Sequence, residues 1–344
     1  MKKFLISFIV LSIFTFFFLQ LGKAEEKVPQ VISIGTHSIG SFFHTTGTSA
    51  AKVITDHTKM RAIVKPMTGP VAWYPYMERG EIELGVLNMW DAEKGYLGES
   101  IYEKLSNRRG FSVRLLCPTV PNAIGLVVAK DSPIKSILDL KDKKVSGNFP
   151  TPSLQLQTEA LLANGNLSWK DIIPIPANSP AESVKMVTEG RSNSSGTVTL
   201  GTPAIDELNA KKGARFIPLD PSPESVARMK KFFPGYMVKV KPGPGKTGIE
   251  EEQYLWTYDT YLIVNEKLSD EVVYLITKTL WENYKELEKV HKLLKDWTPS
   301  GFVSKHALIP YHPGAISFYK EKGAWDTEME GLQKNLIEKK KAKK

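Results

Sequence analysis

Residues 31–54 prescribe a strand, a glycine-containing loop and a helix in immediate succession, and that order restricts the chain to folds built from βα units. Val31-Ile32-Ser33-Ile34 alternates apolar and polar as a strand does. Phe43, Ala50, Val53 and Ile54 then recur at helical spacing. Between them lies Gly35-Thr36-His37-Ser38-Ile39-Gly40-Ser41, with Ser41 placed to cap the helix. A helix starting there aims unpaired backbone N–H groups and the positive end of its dipole back over the glycines, a setting that favours a carboxylate or phosphate. The loop is therefore read as the floor of a ligand site, with Thr36, His37, Ser38, Gly40, Ser41, Phe42 and Phe43 as its binding residues. The competing reading is an ordinary βα turn whose glycines serve sterics alone.

The same alternation continues along the chain. Residues 61–65 read as a strand, Thr68-Gly69-Pro70 as a turn with proline at a helix start, residues 82–87 as a strand, and Asn88-Met89-Trp90-Asp91 as the next turn and cap. This βαβα order implies a parallel sheet covered by helices. Residues 113–129 form a longer extended stretch interrupted at Pro118 and Pro121. A Gly- and Pro-rich loop at 146–153 then enters a helix at 154–163, followed by a strand at 172–175 and a helix at 180–189, so a second α/β unit is expected to be laid out like the first. Residues 256–264 read as one extended run, and residues 270–296 as one amphipathic helix carrying Val273, Ile276, Leu280, Leu287, Val290 and Leu294. Two crossings between lobes are placed near 118–122 and 256–261, with the first lobe made of both chain ends. Two α/β lobes joined in this way enclose a cleft, and loops at the carboxyl ends of parallel strands face ligands.

Composition enters where it bears on destination and partners. Residues 1–24 open with Lys2 and Lys3, run apolar from Phe4 to Leu21 and end in Gly22-Lys23-Ala24, which reads as a signal peptide cleaved after Ala24; an uncleaved anchor is the alternative. The mature chain is expected in the periplasm. With 42% hydrophobic residues in 344, it exceeds what one domain usually holds, and the expected division is 25–120 for the first part of lobe I, 121–259 for lobe II, 260–330 for the return to lobe I and 331–344 for a basic, solvated tail. The formal charge of +9 falls to +6 without the three leader lysines, and the terminal lysines account for most of the remainder. Basic residues are not interleaved with aromatic ones on a face, so no nucleic-acid partner is expected. Cys117, the single cysteine, excludes an internal disulfide framework and reads as a buried structural thiol.

Enzyme signatures are weak. Gly243-Pro244-Gly245-Lys246-Thr247 imitates the end of a phosphate-binding loop, but Val240 stands where the first glycine is needed. There is no Gly-x-Ser-x-Gly elbow and no His-Glu-x-x-His pair. His37 and His44 flank the opening loop without a carboxylate at a fixed offset; an exported enzyme using either as a base with Asp91 is the rival function. More informative are the loops that follow strands: Thr68 and Gly69, Asn88 and Asp91, Ser153, and residues 199–202 ending in Thr202 can hold a small polar anion without reacting with it. Trp73, Trp90 and Phe149, with Phe42 and Phe43, could wall such a site and exclude water. Arg114, Arg191 and Lys65 are candidates for a charge clamp. No catalytic residue, metal or cofactor is assigned.

The opening loop, the Thr68-Gly69-Pro70 turn, Gly80-Glu81-Ile82-Glu83-Leu84-Gly85-Val86, residues 137–145 and above all Pro310-Tyr311-His312-Pro313-Gly314-Ala315-Ile316-Ser317-Phe318-Tyr319 resemble the TAXI family, the TRAP-associated extracytoplasmic receptors. That resemblance implies a two-lobed periplasmic binding protein fold of type II-like organisation. It also implies a receptor, working as a monomer, that closes on a small organic anion of carboxylate or amino-acid type and delivers it to a TRAP-type membrane permease. A binding protein of an ATP-driven importer shares the fold and is the third reading. Ser41-Phe42-Phe43 stands where many members carry Thr-Tyr-Tyr, so two phenolic hydroxyls of the family pattern are absent here.

Overall fold

Residues 28–343 are described by the computed structural model; the expected leader at 1–24 lies outside them. The opening segment folds as its pattern requires. Strand Val31–Thr36 buries Ile32 and Ile34, and helix Phe42–His57 follows with Ser41 as N-cap, its hydroxyl accepting from His44 N at 3.1 Å. Val31–Thr36 sits between Arg61–Pro66 and Leu84–Asn88, parallel to both. The sheet has five strands, ordered Arg61–Pro66, Val31–Thr36, Leu84–Asn88, Thr260–Asn265, Val113–Pro118. Thr260–Asn265 runs antiparallel to both of its neighbours. Its residues are all buried, as an inner strand covered on both faces demands. This sheet therefore draws strands from before residue 119 and from after residue 259.

The remaining strands make three smaller sheets, and here the expectation of a second unit laid out like the first is corrected. Only Lys144–Asn148, flanked by Ile173–Pro176 and Ser194–Ser195, is parallel. Asn122–Gly125 instead joins an antiparallel sheet with Gln253–Tyr258, Val198–Thr199 and Tyr236–Val240, while Val127–Ala129 pairs with Ala214–Phe216. Prolines 174 and 176 withhold ladder donors from their strand, which lies at a sheet edge.

The two expected crossings are where the chain changes sheets. Val113–Pro118 and Asn122–Gly125 lie in different sheets, as do Gln253–Tyr258 and Thr260–Asn265, so the run at 256–264 is broken at Asp259. The crossings lie side by side: Thr119 N donates to Thr260 O at 2.7 Å, Thr260 Oγ1 to Val120 O at 2.6 Å, and Asn122 Nδ2 to Tyr258 OH at 2.7 Å.

Two other expectations change. The helix expected over 270–296 ends at Glu282, where Asn283 turns back to bond Thr279 O, and the rest forms 3-10 turns that bury Leu287 and Leu294. The tail expected at 331–344 is mostly helix: Thr327–Lys341, capped by Asp326, buries Met329 and Leu336, pairs Lys339 with Glu93 at 2.7 Å and lays Lys340 over the Tyr96 ring. A helical stripe at 329, 332 and 336 outweighs the charge run that follows it. Among the described residues, no helix is long and apolar enough to cross a membrane. Cys117 is fully buried, and burial raises its thiol far above the ordinary range.

Candidate functional site

Where the opening loop meets the other lobe, a narrow slot of about 20 Å³ is lined by His37, Ser41, Phe42 and Phe43 on one side. Leu154, Gln157, Pro180, Ala181, Thr197, Val198, Thr199 and Thr202 line the other, and Tyr258, from the crossing strand, completes it. Four helices begin at this slot: Phe42–His57, Pro152–Asn164, Pro180–Thr188 and Pro203–Lys212. Three of them carry proline in the first turn, where its missing N–H costs nothing. The convergence places several positive dipole ends on one small volume that contains no Lys, Arg, Asp or Glu among its lining residues.

One nitrogen there has no partner in the protein. His37 is 3% exposed, yet its Nε2 makes no hydrogen bond, while Gln157, 1% exposed, accepts from Thr197 Oγ1 at 3.3 Å through Oε1 and holds its amide against the Tyr258 hydroxyl. A buried polar atom left unpaired costs about 1–3 kcal/mol, so such an atom facing a cleft marks where a guest's polar atoms belong. His37 stacks on Phe43, ring centroids 4.4 Å apart, and burial pushes its imidazole down to about 4, which keeps it neutral at ordinary pH. Gly69 lies under the same ring at φ 147°; a Cβ there would stand 3.2 Å from His37 Cε1.

Of the residues assigned from sequence, His37, Ser41, Phe42, Phe43 and Thr202 border the slot. Thr36, Ser38 and Gly40 do not, and they shape the loop instead: Thr36 Oγ1 donates to His37 O at 2.9 Å, Ser38 O accepts from Ser41 N at 3.1 Å, and Gly40 turns the chain at φ 83°. Thr68 and Gly69 lie beside it, with Thr68 O accepting from Thr151 Oγ1 of the other lobe at 2.9 Å. The reading of Trp73, Trp90 and Phe149 as walls is corrected. Trp73 is fully buried against Gly35 and Gly85, Trp90 packs near Phe233, and Phe149 sits in a small core with Leu154, Ala177 and Met186.

Asn88, Asp91 and Ser153 come together beside the slot, outside its lining, as a buried polar cluster between the lobes. Asp91 accepts from Asn88 Nδ2 at 2.7 Å, Tyr102 OH at 2.6 Å and Ser153 Oγ at 2.6 Å. Desolvation raises its carboxyl above the usual range, and the hydrogen bonds from Ser153, Tyr102 and Asn88 pull it back. Neither His37 nor His44 is among these partners; His44 Nδ1 instead lies 3.3 Å from Thr36 Oγ1. The candidate clamps are engaged elsewhere: Arg114 with Glu266, Arg191 with Glu189, and Lys65 with Glu81 O.

Gln157, Thr197 and Tyr258 were not singled out from sequence. Gln157 sits one turn into the helix Pro152–Asn164, at an i+3 offset from Leu154. A glutamine on the same helical face as Leu154 and Leu161 is the signal that could have found it. A larger recess of about 500 Å³ lies at the opposite end of the five-stranded sheet, by Glu78, Arg79, Arg114 and Lys341, but none of the buried unpartnered atoms belongs to its lining. Among the described residues no cluster of His, Cys, Asp or Glu could hold a metal ion.

Comparison with known proteins follows this geometry. The fold is similar to that of a binding protein component of an ABC phosphonate transporter from Pseudomonas aeruginosa, at TM-score 0.50 and 14% identity over 91% of this chain and 96% of that one. It is equally similar to PhnD1 from Prochlorococcus marinus, in complex with methylphosphonate, at TM-score 0.50 and 10% identity over 86% of this chain and 100% of that one. The mixed α/β, two-lobed periplasmic binding protein architecture is shared across these lengths. Residues 34–323 match the model of the NMT1-like family, and the chain belongs to that family.

Proposed function

We propose that this protein is an exported, periplasmic solute receptor that captures a small organic anion between its lobes and presents it to a membrane permease. The observation that carries the reading is the unpartnered His37 Nε2, which borders, across from the Gln157 amide, a slot onto which four helix N-termini converge. Hydroxyls, an amide and helix ends hold an anion, and His37, the imidazole at the slot, lacks a carboxylate partner among the described residues that would orient it as a general base. The lobes divide as 25–120 with 260–330 against 121–259. The paired crossings at Thr119 and Thr260 act as the hinge, so that solute shifts an open–closed equilibrium by its greater affinity for the closed form.

The permease assigned is of the TRAP type, on the strength of the resemblance to the TAXI family, above all at residues 310–319. A second reading, a receptor for an ATP-driven importer, is favoured by the fold's likeness to the phosphonate-transporter component.

Calorimetric titration of the mature chain with a panel of carboxylates tests the receptor, each compound being recovered and checked for chemical change. Binding with unaltered recovery and compaction in solution scattering is expected; turnover would overturn it. Uptake by vesicles carrying the cognate permease separates the two importers, since an ion-driven system works without ATP.

A further inference from the structure

Resting on that receptor reading, we infer that the solute is a compact organic acid with a single negative charge, an apolar body and no ammonium group. The argument begins with what the slot lacks. None of its lining residues is charged, and a charge buried without a partner is strongly disfavoured. An ammonium would need a carboxylate, and Asp91, the buried carboxylate at this lobe boundary, already accepts from Asn88, Tyr102 and Ser153. A second anionic group would lie against the apolar surface of the slot with no counter-charge.

What the slot offers matches one carboxylate. His37 Nε2 on one side, and the Gln157 amide turned from Tyr258 on the other, can each donate to an oxygen, while Phe42, Phe43, Leu154 and Val198 present apolar surface to the remainder of the molecule. At about 20 Å³ the closed slot admits water alone, so solute is held only with the lobes set further apart than this, which favours a short body. Amino acids and dicarboxylates are thereby disfavoured on opposite grounds, the first for a cation without an acceptor and the second for a surplus carboxylate.

The test uses the mature chain with isovalerate and benzoate as monocarboxylate probes, against glutamate, succinate and methylphosphonate, in calorimetry with parallel solution scattering. Isovalerate or benzoate is expected to bind about tenfold or more tightly than any of the other three. Glutamate, succinate or methylphosphonate binding more tightly overturns the solute class and leaves the receptor standing; no heat and no compaction from any probe overturns both. Gln157→Met, near in volume, is expected to lower affinity for the preferred probe about tenfold or more; because it also strands Thr197 Oγ1, which donates to Gln157 Oε1 at 3.3 Å, adding Thr197→Val is expected to restore the ligand-free melting temperature. Unchanged affinity in that variant overturns the role of Gln157.

Discussion

Ser153 Oγ donates to Asp91 Oδ2 at 2.6 Å, joining the head of a helix in one lobe to a fully buried carboxylate in the other. The bond exists only with the lobes together, because Asp91 follows strand Leu84–Asn88 of the five-stranded sheet and Ser153 follows Lys144–Asn148 of a different one. With Thr151 Oγ1 bonding Thr68 O at 2.9 Å beside it, the closed arrangement has contacts of its own that do not involve a solute.

Removing that bond is expected to favour the open form. Ser153→Ala deletes a hydrogen bond to a charged group, worth about 1.5–3 kcal/mol, and should shift the equilibrium about tenfold or more toward opening. Weaker solute binding, with the solute needed at higher concentration to compact the variant in solution scattering, checks this; unchanged affinity contradicts it. Asp91→Ala also strands Tyr102 OH and the Asn88 amide, and should lower unfolding stability by about 3 kcal/mol in urea titration.

Stability should fall on mild acidification through His37. Burial holds the folded imidazole at about 4, below its unfolded value of 6.5, so between those limits the unfolded chain binds more protons and stability rises with pH. The full effect is about 3 kcal/mol, present above pH 6.5 and lost toward pH 4. Asp91, with its carboxyl raised, acts in the opposite sense, so the variant His37→Asn is the comparison that isolates the histidine. Its denaturation midpoint should depend less on pH over that window than that of the parent.

Gly35 and Gly85 are held to glycine by Trp73. A Cβ on Gly35 would stand 2.9 Å from the indole and one on Gly85 2.6 Å from it, with the ring fully buried and unable to retreat. Gly85→Ala should therefore destabilise by about 1–3 kcal/mol through overpacking. Equilibrium denaturation measures this, and pairing it with Trp73→Leu should recover part of the loss.

The C-terminal helix is expected to be structural. Ending the chain at Asp326 would uncover the surfaces against which Met329 and Leu336 pack, at about 1.5–3 kcal/mol each, and would leave Tyr311 N without its acceptor, Gln333 Oε1. A markedly lower melting temperature checks the assignment; a solvated tail would leave it unchanged.

The chain's local chemistry was legible in its residues one segment at a time. The period-2 run at 31–34, Ser41 and Asn88 as caps, prolines opening helices, the breaks near 118–122 and 256–261 and the inert Cys117 all follow from short-range sterics and hydrogen bonding, which a sequence displays directly. Pairing could not be read that way. That Thr260–Asn265 inserts antiparallel between Leu84–Asn88 and Val113–Pro118, and that the second lobe splits into three sheets, depends on contacts between residues far apart in sequence. The site divides along the same line. His37 and Ser41 stood out because they belong to one loop, whereas Gln157, Thr197 and Tyr258 join them only when the lobes meet. Asp91 and Ser153, alike in sequence to ligand-binding residues, satisfy one another instead. Sequence alone determined which segments could donate to an anion; tertiary structure decided which donors were left unpaired, because that depends on every partner the fold brings within hydrogen-bonding distance.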